Sequence, residues 1–174
     1  MKLGGLKPVD DRKIIERVLK GDTDAFNLLV RQWERPIYNF IVRMVGDRDE
    51  AMDLCQEAFM KAYRELGTLK DLDRFSSWLY RIAHNTCFSK LRKDQGKIFV
   101  ELSPETHSSR PPIESRLAVE KALQHLPEDQ REVVILKVFQ SLKFEEIAAI
   151  QGAPVSTVKS RLYMGFEKLR MILG

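Results

Sequence analysis

The residues with the clearest chemistry lie near the C-terminal end. Ser156, Thr157, Lys159, Ser160, Arg161, Tyr163 and Met164 fall on one side of a helical repeat. Val158, Leu162, Phe166 and Leu169 fall on the other, at spacings of 4, 4 and 3, and are read as its core face. Short hydroxyls and helix amides suit phosphate oxygens, while lysine and arginine suit phosphates or the acceptor edge of guanine. A second basic group runs from Trp78 to Lys93, where Arg81, Lys90, Arg92 and Lys93 stand without an acid. Between the two groups, Asp94 to Ser115 holds four acids against two bases. Two basic helices with an acidic connector point to two contacts on one polyanion.

Other chemistry is excluded by what is missing around the candidate residues. His84 and Cys87 form an H-x-x-C pair, but no second pair of histidines or cysteines lies near it. A four-ligand zinc site therefore cannot be built. The chain has no phosphate-cradling glycine loop and no nucleophile-base pattern in a credible context. The expectation is no catalytic activity, no metal, no cofactor and no small-molecule substrate.

The elements that must position these residues are helical. Leu126-Pro127-Glu128 opens a helix with proline in its first turn. Phe144, Ile147 and Ala148 share a face of the next, short helix, and small Ala148 lets another helix cross closely. Gln151-Gly152-Ala153 makes a tight turn in which Gly152 takes positive φ at no steric cost. Pro154 then opens the helix that carries the candidate DNA-facing residues. This is a helix-turn-helix, whose second helix enters the major groove with its N-terminal residues at the base edges. The motif alone does not separate a repressor, an activator and a polymerase subunit.

Helical periodicity also organises the N-terminal part. Phe26, Leu29, Val30, Trp33, Ile37, Phe40, Ile41 and Met44 form an amphipathic stripe that Pro36 is expected to kink. Ala51, Leu54, Cys55, Ala58, Phe59, Ala62 and Tyr63 line one side of a third helix. A polar loop, Leu66 to Arg74, precedes a fourth helix from about Ser76 to Lys93. Asp94 to Pro112 has no apolar periodicity and is rich in serine and proline, so it reads as a flexible linker. The expected fold is all-α: a helical domain over residues 1–93, a linker over 94–112 and a second helical domain over 113–174. That second domain is short for an independent core, and docking on a partner would help it.

Composition sets the outer bounds. The chain has 174 residues, 44% hydrophobic and 31% charged, with a net charge of +4, which reads as globular and soluble. No run of eighteen apolar residues exists to span a membrane, and Met1 to Asp11 lacks the apolar segment of a signal peptide. The two cysteines, Cys55 and Cys87, sit in apolar helical patterns and read as reduced, buried thiols.

Several stretches carry a family resemblance. Asp53-Leu-Cys-Gln-Glu57-Ala-Phe59-Met-Lys61-Ala-Tyr63 and Phe75-Ser-Ser-Trp78-Leu-Tyr-Arg81-Ile-Ala-His-Asn85 resemble the region-two signature of sigma factors. Leu126-Pro127-Glu128, Phe144-Glu-Glu-Ile-Ala148 and Val158-Lys-Ser-Arg161 resemble the region-four signature. With two domains and a short linker, the chain is similar to the extracytoplasmic-function (group 4) sigma factors of bacterial RNA polymerase.

The resemblance implies a division of labour. Asp53, Gln56, Glu57 and Lys61, whose spacing places them along one exposed strip, would bind the clamp coiled coil of core polymerase, and region four its flap. Lys70, Asp71, Asp73 and Arg74 would offer base contacts to a melted minus-10 strand. Arg81 and Asn85 would add base or phosphate contacts, with Lys90, Arg92 and Lys93 on phosphates. Trp78 fits the core better than a stacking platform, and Phe75 is also read as core. Ser156, Thr157, Lys159, Ser160, Arg161 and Tyr163 would read the double-stranded minus-35 element. Lys159 and Met164 stand where the family often has arginine, and lysine lacks arginine's bidentate fork, so guanine reading is weaker there. The resemblance also implies an anti-sigma factor as partner, and a cytoplasmic protein, free or held at the membrane by that factor.

Overall fold

Aspartates open the first helices. In the computed structural model, which describes residues 10–94 and 111–174, Asp10 caps α1 (Asp11–Leu19) by accepting from the Arg12 amide. Asp22 caps a 3-10 turn, Thr23–Ala25, that leads into α2 (Phe26–Val45), and Asp47 caps α3 (Arg48–Glu65). Such side chains satisfy amides that a helix start leaves without partners. Pro36 does not end α2, which continues through it. Two 3-10 turns, Leu66–Thr68 and Leu72–Arg74, join α3 to α4 (Phe75–Asp94). Leu66 is buried, so the segment read as a polar loop is anchored at its start.

α5 (Pro111–Gln124) begins two residues before the expected boundary at 113, with Pro111 and Pro112 in its first turn. Proline fits there because those amides have no intrahelical acceptor. The remainder of the expected linker, residues 95–110, lies outside the described residues. α6 (Glu128–Val134) continues into a π-helical turn, Ile135–Phe139. α7 (Phe144–Gln151) and α8 (Val155–Leu173) complete the helix-turn-helix, and Gly152 between them has φ +62° as the turn requires. The fold class is all-α, and the described residues contain no strand.

The phase of α8 corrects the expected core face. Val158 and Gly165 are buried and Leu162 and Leu169 half-buried, whereas Phe166 is 44% exposed. A Cβ on Gly165 would lie 3.0 Å from Val134 Cγ2, so glycine is what lets α8 approach α6. The buried thiols are as expected. Cys55 and Cys87 are both free, and burial pushes the Cys55 thiol up to about 11 and Cys87 further up.

α2, α3 and α4 form one bundle, and α6, α7 and α8 another, but their apolar interiors are continuous. The reason is α4, which buries Leu79, Tyr80, Ile82, Ala83, Thr86 and Cys87 and so presents apolar surface to both α3 and α7. Polar bonds frame the seam. Tyr80 donates its hydroxyl to Gln140 Oε1 at 2.8 Å, and His84 Nδ1 lies 2.6 Å from Glu132 Oε1. Gln124 donates to the Arg43 carbonyl at 2.7 Å, and Arg43 pairs with Glu120 at 3.6 Å. Arg131 donates to the carbonyls of Met44, Gln124 and Leu126. Its burial lowers the guanidinium pKa, while carbonyls at the C-terminal ends of α2 and α5 compensate the charge. The partner that the small second domain docks on is the first domain of the same chain.

Candidate nucleic-acid and polymerase interfaces

The turn before α4 and the helix itself make one concave surface. Lys70, Asp71, Arg74, Trp78 and Arg81 line a cleft of about 270 Å³, with Ala149 of α7 on its far side. The acids of this turn have partners. Asp71 caps the Leu72–Arg74 turn through the Asp73 amide and pairs with Arg74 at 3.3 Å. Asp73 receives both Nε and Nη2 of Arg12, at 3.1 and 3.0 Å, and this bond raises the Arg12 pKa. The turn is thereby fixed from α1.

Along α4, Arg81 and Asn85 are exposed one turn apart, Arg81 lining the cleft and Asn85 facing solvent outside it. Phe75 is core, as expected. Trp78 is half-buried against the Phe75 ring, with centroids 5.8 Å apart, and its outer part still lines the cleft. Packing and base stacking are therefore both open to it. Lys90 pairs with Glu50 at 2.6 Å and Asp94 at 3.2 Å, which raises its pKa. Arg92 and Lys93 are exposed, and Arg92 Nε donates to the Phe88 carbonyl.

On α8, Ser156, Lys159, Ser160 and Tyr163 face solvent, and Tyr163 is 68% exposed. Thr157 is half-buried beside them. Met164 is on the same open face. Lys159 Nζ lies 5.4 Å from the centre of the Phe144 ring, a cation–π contact that leans it toward α7. Arg161 differs from the others: its guanidinium turns inward to Asp129 and Gln151.

The four candidate polymerase contacts on α3 separate into two pairs. Asp53 and Gln56 edge an apolar groove of about 620 Å³ between α2 and α3, walled by Phe26, Val30, Tyr38 and Phe59. Met52 and Met60, 61% and 59% exposed, extend that groove outward. Glu57 and Lys61 pair with each other at 2.7 Å and turn toward α4, where Lys61 donates to Thr86 Oγ1 at 3.5 Å. The single exposed strip expected from spacing is two strips. Helical spacing showed the polar residues but missed the methionine-rich groove beside them; its signal was the pair Met52 and Met60, eight positions apart.

Comparison with known proteins identifies the family. Residues 29–97 match Sigma-70 region 2, and residues 116–169 match Sigma-70, region 4. The RNA polymerase sigma-H factor of Pseudomonas aeruginosa is 38% identical over 178 residues, 91% of either chain. The ECF RNA polymerase sigma-E factor of Escherichia coli (strain K12) is 35% identical over 176 residues, covering 91% of this chain and 92% of its own. The chain belongs to the extracytoplasmic-function sigma factors. Its function is that of a promoter-directing sigma subunit of RNA polymerase.

Solved structures agree with the architecture of this sigma factor. The sigma factor RpoE from Bartonella quintana, crystallised with the anti-sigma factor NepR, is similar with a TM-score of 0.71 at 27% identity. That match covers 85% of this chain and 96% of RpoE. CnrH, solved with the cytosolic domain of CnrY, shares the fold at a TM-score of 0.74 and 24% identity, over 95% and 97% of the two chains. In this sigma factor, region 2 holds α4, the methionine-edged groove and the cleft except for Ala149, and region 4 holds Ala149 and most of α8. The H-x-x-C pair is otherwise engaged: His84 faces Glu132 and Cys87 is sealed. Among the described residues no group of three metal-ligating side chains comes together, and no helix is long and apolar enough to cross a membrane.

Proposed function

We propose that this sigma factor divides promoter reading between its two heads, with region 2 taking the melted minus-10 strand and region 4 the minus-35 duplex. The observation that carries this reading is the difference in shape between the two surfaces. The region 2 cleft is concave, is walled by an aromatic ring and cationic groups, and suits unstacked bases. Lys70, Asp71, Asp73 and Arg74 in the turn, and Arg81 and Asn85 on α4, are its base or backbone contacts. Lys90, Arg92 and Lys93 extend the path along phosphates. The α8 face is a convex helix with open N-terminal hydroxyls and suits a major groove. Ser156, Thr157, Lys159, Ser160 and Tyr163 make those contacts.

Core polymerase docks on α3, its clamp coiled coil entering the α2–α3 groove beside Asp53 and Gln56, while Glu57 and Lys61 add a second contact from the strip turned toward α4. The apolar floor and polar edge of that groove match the anatomy of a protein interface. Region 4 binds the polymerase flap. The sigma factor acts in the cytoplasm, has no catalytic role of its own and is held in check by an anti-sigma factor, as RpoE is paired with NepR in its crystal. The test is run-off transcription with bacterial core enzyme on a pool of genomic promoters. Promoter-specific transcripts that require the added chain are expected. Their absence from every promoter would sink the proposal. Met52→Glu together with Met60→Glu is expected to abolish them by blocking polymerase binding in a pull-down.

A further inference from the structure

Arg161 lies one helical turn from Thr157 on the DNA-facing half of α8, yet its side chain is only 28% exposed. Its Nε pairs with Asp129 Oδ2 of α6 at 2.9 Å, and its Nη1 donates to Gln151 Oε1 at the end of α7 at 2.9 Å. The chain of bonds continues inward. Gln151 Nε2 donates to Glu132 Oε2 at 2.8 Å and to the Asp129 carbonyl at 3.1 Å. Glu132 is 0% exposed, and its other oxygen faces His84 Nδ1 of α4 at 2.6 Å. Both ends of the Gln151 amide and both oxygens of the Glu132 carboxylate are thereby used. The fork is thereby held on α6 and α7 through Nε and Nη1, and swinging it out to face a groove would break both a charge-assisted and an amide bond.

We propose that Arg161 is a positioning residue: it fixes the pose of α8 on α6 and α7, and the Gln151–Glu132–His84 chain ties that pose to α4. The proposal rests on the reading of α8 as the minus-35 head. Its consequence concerns specificity. A recognition helix that rocks on its support places Ser156, Lys159 and Ser160 poorly against base edges, so sequence discrimination falls while attraction to phosphates persists. Asp129, which touches no expected DNA surface, then matters as much as Arg161.

The experiment compares holoenzymes carrying Asp129→Ala, Arg161→Ala, Arg161→Lys, the Asp129→Ala/Arg161→Ala double change, or Lys159→Ala. Each is measured for binding to promoter DNA with an optimal or a scrambled minus-35 element, across a range of salt. The ratio of the two affinities cancels any change in the amount of folded protein. Asp129→Ala and Arg161→Ala are each expected to reduce that ratio about fivefold to twentyfold, with the double change no worse than the larger single loss. The salt slope stays that of the parent, and Arg161→Lys, which keeps the charge near Asp129, restores part of the ratio. A salt slope lower by about one in Arg161→Ala, with Asp129→Ala neutral or tighter, would make Arg161 a phosphate contact and overturn the proposal. Lys159→Ala separates the two failures. If it leaves the ratio unchanged, the reading of α8 fails; if it lowers the ratio while Asp129→Ala does not, only the positioning role fails.

Discussion

On the region 2 surface Asp73 is held by Arg12, Asp71 by Arg74, and Lys90 by Glu50 and Asp94. On α8 of region 4, Ser156, Ser160 and Tyr163 reach solvent. The contrast follows the form of the DNA each would meet. A melted strand is floppy, so the surface that holds it must carry the shape, and bracing lowers the entropy lost on binding. A duplex groove is already regular, and a helix of free hydroxyls can settle into it. The cost of rigidity in region 4 is moved one layer down, into Arg161, Gln151 and Glu132.

Four changes would break or sharpen this contrast. The largest effect is expected from Glu132→Ala, which strands His84 and Gln151 at the seam. It should lower the unfolding free energy by about 3 kcal/mol in urea titration, through loss of a buried polar pairing. Next come the reading residues. Arg81→Ala should reduce open-complex formation about tenfold on every promoter, whereas Lys159→Ala should do so only where a minus-35 element is present; abortive-transcript assays on both promoter types measure this. A smaller effect is expected from Arg12→Ala. It frees Asp73 at an exposed position and should change minus-10 binding less than threefold without altering the minus-35 ratio. The least functional consequence attaches to the thiols. Cys55, raised to about 11, is protonated below that pH in the folded chain. Its alkylation at pH 8 should be more than about tenfold slower than in urea, by mass spectrometry.

Much of this was readable from residues in order, and the exceptions share a cause. The turn at Gly152 was legible because only glycine takes that φ without strain, and the α3 and α4 motifs were legible because their spacing is local. Phe166 was misplaced because a helical repeat of 3.6 allows position 165 or 166 to face inward. The deciding residue, Gly165, has no side chain to register as apolar. Nothing local marks Gln124, Arg131 and Glu132 as seam residues, since their partners Arg43, Met44 and His84 are far away in sequence. Arg161 was grouped with its outward neighbours for the same reason: its partners Asp129 and Gln151 lie on other helices. Local pattern reveals which helix exists, but pairing across helices decides which way a charge points.

The continuous interior shared by α4, α6 and α7 has a thermal consequence. Separate domains on a tether melt in separate steps, each with its own midpoint. Here the smaller half borrows its stability from the larger through Tyr80, His84 and the carbonyls at the end of α2. Heat therefore meets a single cooperative body: the isolated chain loses both reading heads in one calorimetric transition, and region 4 has no plateau of its own on which to survive.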